Sequence, residues 1–164
     1  MSVNSKRKFL IATSNKGTQD QLQSIIEESV KDAVCFFAVD GSDAISKIQN
    51  DPPDVVLTEP SLSKTDGFKL TNWILRNQSQ QKMAVVILTY VPDTEHFVDE
   101  VVTSQVQFFD PTRGETELKR ILTRSLNFLS HKENQEFFIR FLAAGDCLVK
   151  EGDRADNAYL VKNG

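Results

Sequence analysis

In this 164-residue sequence, the side chains best able to handle a charged group stand where short apolar runs end. Thr13 and Ser14 follow Phe9-Leu10-Ile11-Ala12, and Glu59 follows Asp54-Val55-Val56-Leu57-Thr58. Thr89 closes Ala84-Val85-Val86-Ile87-Leu88, and Asp110-Pro111 follows Val106-Gln107-Phe108-Phe109. Two carboxylates in one crevice can do acid–base work. Their repulsion raises the pKa of one of them, unless a cation such as Lys64 or Lys16 neutralises the pair. No glycosidase or protease constellation surrounds Glu59 and Asp110, so catalysis is not expected. The two cysteines, Cys35 and Cys147, are far apart and lack CxxC spacing, which reads as free thiols in a reducing, cytoplasmic setting. With only two histidines, His96 and His131, no metal site is expected.

The elements that position these residues alternate. Apolar runs near residues 9–12, 34–39, 54–58, 84–89 and 106–109 are short, rich in β-formers and apolar on both faces. Between them, apolar residues recur at helical spacing: Leu22, Ile25 and Ile26; Ala44, Ile45 and Ile48; Phe68, Thr71, Ile74 and Leu75; Phe97, Val98, Val101 and Val102. Leu118, Ile121, Leu122, Ser125, Leu126 and Leu129 trace a longer final helix. Ser42 or Asp43 is expected to cap the second helix. Runs apolar on both faces fit a parallel sheet covered by helices on each side. The expected fold is α/β: a five-stranded, doubly wound parallel sheet, whose ligand crevice lies at the carboxyl ends of the strands. That places Thr13, Ser14, Glu59, Thr89 and Asp110 around one crevice.

Several of these stretches resemble the receiver domain of bacterial response regulators. Ala38-Val39-Asp40-Gly41-Ser42-Asp43-Ala44-Ile45 is similar to that family's second strand, turn and helix. Pro53 to Glu59 resembles its third strand leading to the phosphorylated Asp, and Asp66-Gly67-Phe68 its next helix start. The resemblance spans about residues 6–130 and implies a cytoplasmic, bacterial two-component signalling module. It fails where the chemistry sits. The Mg²⁺-binding acid pair is Thr13 and Ser14 here, the phosphoacceptor Asp is Glu59, and the Lys after the fifth strand is Asp110. Only Thr89 and Pro111 keep the pattern. Mg²⁺ needs carboxylates and water in a tight octahedron, and a transferring phosphoryl group needs compensating positive charge. A pseudo-receiver that is not an enzyme is therefore expected. Glu59 either imitates a phosphorylated Asp or is a drifted residue in a disused pocket.

An outside reading starts from Thr13-Ser14-Asn15-Lys16-Gly17-Thr18, which loosely resembles the phosphate loop of flavodoxins. A flavin also wants aromatic residues after the third and fourth strands. Tyr90 offers one, but none stands between Glu59 and Phe68, and Trp73 falls within a helix. No cofactor is expected.

Composition changes after residue 130. Ala144-Gly145-Asp146-Cys147-Leu148-Val149-Lys150-Glu151-Gly152-Asp153 and Tyr159-Leu160-Val161-Lys162-Asn163-Gly164 resemble the opening strands and glycine turns of a cyclic-nucleotide-binding domain. The expected division is residues 1–130 for the receiver-like domain and 131–164 for a linker and truncated β domain. The family's phosphate-binding residues would lie beyond Gly164, so a cyclic nucleotide is expected as a ligand only of a longer chain. With that sensor, the receiver would be a passive spacer.

A net charge of −4 argues against nucleic acid, and no apolar run is long enough for a membrane. The expected partner is a protein or a second copy. The resemblance implies pairing through the fourth helix, fifth strand and fifth helix, which carry Phe97, Val101, Gln107, Leu118, Ile121, Leu122 and Leu126. Gln107 replaces that family's switch aromatic. Leu126 and Leu129 extend an apolar stripe past the sheet, to meet either another copy or residues 135–142.

Overall fold

The computed structural model describes residues 6–78, 81–93 and 95–130. The expectations for residues 131–164 lie outside the described residues. Within them the chain alternates β1 (Arg7–Ala12), α1 (Lys16–Ser29), β2 (Ala33–Ala38), α2 (Gly41–Asn50) and β3 (Val55–Thr58). It continues with α3 (Gly67–Arg76), β4 (Ala84–Leu88), α4 (Val98–Val102), β5 (Val106–Phe109), a 3-10 turn (Pro111–Arg113) and α5 (Glu115–Ser130). The strands form one parallel sheet in the order β2-β1-β3-β4-β5. This is the doubly wound fold expected from the apolar runs.

Burial on both faces explains why the strands show no polar alternation. Phe9 and Ile11 of β1 enter one core with Leu57, Val86, Ile26 and Leu122, roofed by α1 and α5. Leu10 and Ala12 enter the other, with Val56, Ile87, Ile48 and Ile74, roofed by α2 and α3. The strand order reverses between β1 and β3, and the carboxyl ends there are where sheets of this kind bind ligands.

Local sequence sets the helix starts. Asn15, Asp40 and Asp66 cap α1, α2 and α3, each accepting a bond from a backbone N–H three residues on. Neither Ser42 nor Asp43 is the cap of α2. Asp40 takes that place, leaving Asp43 in the first turn to pair with Lys47 at 2.8 Å and accept from Val39 N. The fourth helix is short, as its apolar residues implied: α4 has five residues, and none of them is buried. Phe97 alone anchors it, buried in the second core with a left-handed backbone at φ 60°. Burial of the ring, worth about 1.5–3 kcal/mol, offsets a backbone cost of about 1–3 kcal/mol. Cys35 is a free thiol on β2, pushed up to about 11 by burial and then by Glu27.

Candidate functional site

Strand register brings the sequence-predicted residues to one end of the sheet. Ala12 pairs with Thr58, and Leu88 with Phe109, so Thr13, Glu59, Thr89 and Asp110 all follow directly from strand ends. At β1, Thr13 is fully buried and committed to the turn. Its N donates to Ala38 O (3.0 Å), its Oγ1 accepts from Asn15 N (3.1 Å), and its carbonyl accepts from Gln19 Nε2 (2.8 Å). Ser14 is exposed. Asn15 Oδ1 takes the Thr18 N–H that an anion at α1 would use. Lys16 pairs with Asp20 and sits over the Phe37 ring. The first turn is thus closed on itself, which counts against the flavin reading.

The loop between β3 and α3 is pinned to its neighbours. Glu59 N donates to Ala12 O (3.2 Å), Gly67 N to Pro60 O (3.0 Å) and Gly41 N to Ser63 O (3.1 Å). Lys64 Nζ reaches Asp40 Oδ2 at 2.7 Å, with the Asp40 side chain only 9% exposed. Its bond from Lys64, then that from Asp43 N, holds the Asp40 carboxyl below the usual range, and the same pair raises Lys64. Two glycines permit the approach. A Cβ on Gly41 would stand 1.9 Å from Thr65 O, and one on Gly67 would stand 2.2 Å from Glu59 O.

Asp110 and Thr89 complete this end of the sheet. Thr89 N donates to Phe109 O, and its hydroxyl is exchanged with the Val91 backbone at 3.2–3.3 Å. Asp110 Oδ1 accepts from Thr112 N (2.8 Å) and Thr112 Oγ1 (2.7 Å), capping the 3-10 turn opened by the exposed Pro111. The Thr112 hydroxyl, then its N–H, then the Arg113 charge hold the Asp110 carboxyl below its ordinary value. The expected rise from repulsion with Glu59 therefore does not occur at Asp110. Nor do Lys64 and Lys16 neutralise that pair, since their ion pairs are with Asp40 and Asp20.

These donors do not suit Mg²⁺. The acid-pair positions offer a hydroxyl already bonded to backbone and an exposed serine, leaving Glu59 as the carboxylate of the crevice's first half. Among the described residues, no three His, Cys, Asp or Glu side chains cluster closely enough to hold a metal ion. The position after β5, which would need a cation for a phosphoryl group, carries a carboxylate engaged in its own turn.

The expected pairing face divides between core and surface. Leu118, Ile121 and Leu122 are buried under the sheet, and Phe97 is buried on its other side, so these cannot make a broad contact. Leu126 and Leu129, expected to extend past the sheet, are half-buried against the α1/α5 core. Val101 is exposed, alongside Val98 and Val102. A groove of about 380 Å³ runs between α4 and α5, bringing together Val101, Gln107 and Ile121 and adding Phe108, Glu117 and Arg124. Sequence spacing missed Phe108 and Arg124. The apolar residues of the short fourth helix, Val98 and Val102 beside the expected Val101, were the available signal.

Residues 9–123 match the family model of the response regulator receiver domain. None of the curated proteins matches this sequence. Among solved structures, a two component transcriptional regulator AraC from Clostridium phytofermentans is similar at 23% identity and TM-score 0.61, over 74% of this chain and 93% of that one. The signal receiver domain of an HD domain-containing protein from Pseudomonas fluorescens aligns at 20% identity and TM-score 0.63, covering 77% and 91%. The receiver domain of a signal transduction histidine kinase from Syntrophus aciditrophicus aligns at 18% and 0.61, covering 83% and 99%.

Proposed function

Because this chain belongs to the response regulator receiver domain family, a family of signal-transduction modules, we propose that it is a pseudo-receiver: a non-catalytic module that takes no phosphoryl group and acts by protein interaction. The observation that carries this reading is the commitment of the crevice's groups to other work. Thr13 Oγ1 is spent on Asn15 N, Lys64 on Asp40 and Asp110 on Thr112 and Arg113. No acid pair is there to hold Mg²⁺, and no lysine follows β5 to meet a phosphoryl oxygen. The pinned β3–α3 loop supports a surface that keeps one shape without a chemical signal. In that role the chain presents the α4–β5–α5 groove to a protein partner or to a second copy. Coupling to a cyclic-nucleotide sensor through residues 131–164 remains part of the proposal on sequence resemblance alone.

A Mg²⁺ and beryllofluoride titration followed by amide NMR tests the reading. The signals of Thr13, Ser14, Glu59 and Asp110 are expected to stay in place throughout the titration, because too few carboxylates are present to dehydrate and hold Mg²⁺. Saturable shifts clustered on those residues would overturn it.

A further inference from the structure

β2 is an edge strand of the sheet, and the run from Val34 to Val39 reads Val-Cys-Phe-Phe-Ala-Val. It holds no charge, no proline and no glycine, the composition that pairs most readily with another strand. One bond fixes which way each residue faces. Ala38 O accepts from Thr13 N, so Ala38 and, by alternation, Phe36 and Val34 turn their backbone polar groups to β1. Cys35, Phe37 and Val39 turn theirs to the open edge. Edge strands are usually blunted by their own charges or by a bulge. β2 carries no charge, and its register on β1 runs without interruption from Ala33 to Ala38.

Two side chains of α2 take the place of those devices. Lys47 Nζ donates to Phe37 O, and Asp43 Oδ2 accepts from Val39 N at 3.1 Å. The two are one helical turn apart and bonded to each other at 2.8 Å, so they lie together along the edge. The other charges beside β2 belong to α1. Lys16 sits over the Phe37 ring and pairs with Asp20, and Glu27 acts on the Cys35 thiol, on the side of the sheet where both side chains pack. We infer that Asp43 and Lys47 form an edge guard, which keeps β2 from pairing with the β2 of a second copy. The excluded strand is a second copy because the edge is self-complementary about Cys35. A two-fold axis there would set antiparallel Cys35 against Cys35 and the large Phe37 against the small Ala33, each pair exchanging backbone bonds. Lys47 occupies the Phe37 carbonyl that such a pair would use, and by symmetry it blocks both ends. The inference concerns a surface apart from the α4–β5–α5 groove and does not rest on the protein-interaction reading.

The test uses the full chain, with amide hydrogen exchange and light scattering at low and at high protein concentration. In dilute protein, Asp43→Ala should speed exchange of the Val39 amide about five- to tenfold, the equivalent of one ordinary hydrogen bond. The double variant Asp43→Ala/Lys47→Met keeps Asp40, the cap of α2, and most of the length of the lysine stem. Its Cys35 and Phe37 amides should exchange more slowly as concentration rises, while scattering shows a dimer. The same two amides should ignore concentration in the wild type and in Lys47→Arg, which retains a donor. Val34 is 41% exposed, and Val34→Lys puts a charge beside the edge, so adding it should return the double variant to wild-type behaviour. Lys47→Met alone gives the same readout if the double variant does not fold. Cys35 and Phe37 amides already slow in dilute wild type, guard variants whose amides ignore concentration, or slowing that survives Val34→Lys would overturn the inference.

Discussion

Lys64 and Asp40 show how a residue can be removed from one job by another. Sequence made Lys64 a candidate to neutralise Glu59 and Asp110, but a left-handed backbone at φ 64° turns it toward the cap of α2. Nothing in the neighbouring residues signals that turn, which depends on where α2 begins. The pair has a pH signature. A depressed Asp40 pKa contributes stability above the unfolded value of about 3.9, and that contribution disappears as pH falls through the folded value. Lys64→Ala should therefore raise the Asp40 midpoint in a carboxyl NMR titration toward the ordinary value. It should also be less stable than wild type above about pH 4, with the two converging in stronger acid. A stability difference that persists unchanged below both midpoints would show that Lys64 acts by packing instead. Gln107 tells a similar story in the other direction. Its departure from an aromatic is visible in sequence, but its bonds to Ile121 and Ser125 need the register of α5 on β5.

At the scale of elements, the strands and the long helices were legible because both cores demand apolar residues at fixed spacing. The order of strands and helices followed directly. The cap of α2 was not legible, since Ser and Asp carry no positional information finer than a turn. The β3–α3 loop was read only as an ending. Its actual form depends on backbone approach at two glycines that motif comparison singles out without explaining. Gly67→Ala puts a Cβ 2.2 Å from Glu59 O, which is backbone and cannot swing aside. Chemical denaturation should find this variant destabilised by about 2–3 kcal/mol, within the range for overpacking. Gly17→Ala meets only the Asn15 side chain at 3.3 Å, inside α1, and should be near neutral because alanine's better helix propensity offsets the contact. Equal losses in the two variants would mean that the loop is not pinned as described. Gly41→Ala, facing Thr65 O, should behave like Gly67→Ala.

For the whole molecule, the sequence carries the receiver fold and the altered residues at its strand ends, while the structure supplies the hydrogen-bond partners of those residues. Thr13, Glu59 and Asp110 were recognisable as substitutions because strand order fixes which residue ends each strand. Their partners Asn15, Thr112 and Arg113 came from local turns that spacing alone does not rank. How the expected pairing face divides between core and surface was only partly legible, because helical periodicity cannot tell which of α5's apolar residues face the sheet. The account's central claim is that signalling here proceeds without phosphorylation. Intact-mass spectrometry after incubation with acetyl phosphate and Mg²⁺ tests it most directly, with Glu59→Gln run in parallel. The account predicts one unmodified species for both proteins. A species heavier by one phosphoryl group, about 80 Da from the added phosphate oxygens and phosphorus of the modification, present in the wild type and absent from Glu59→Gln, would contradict it.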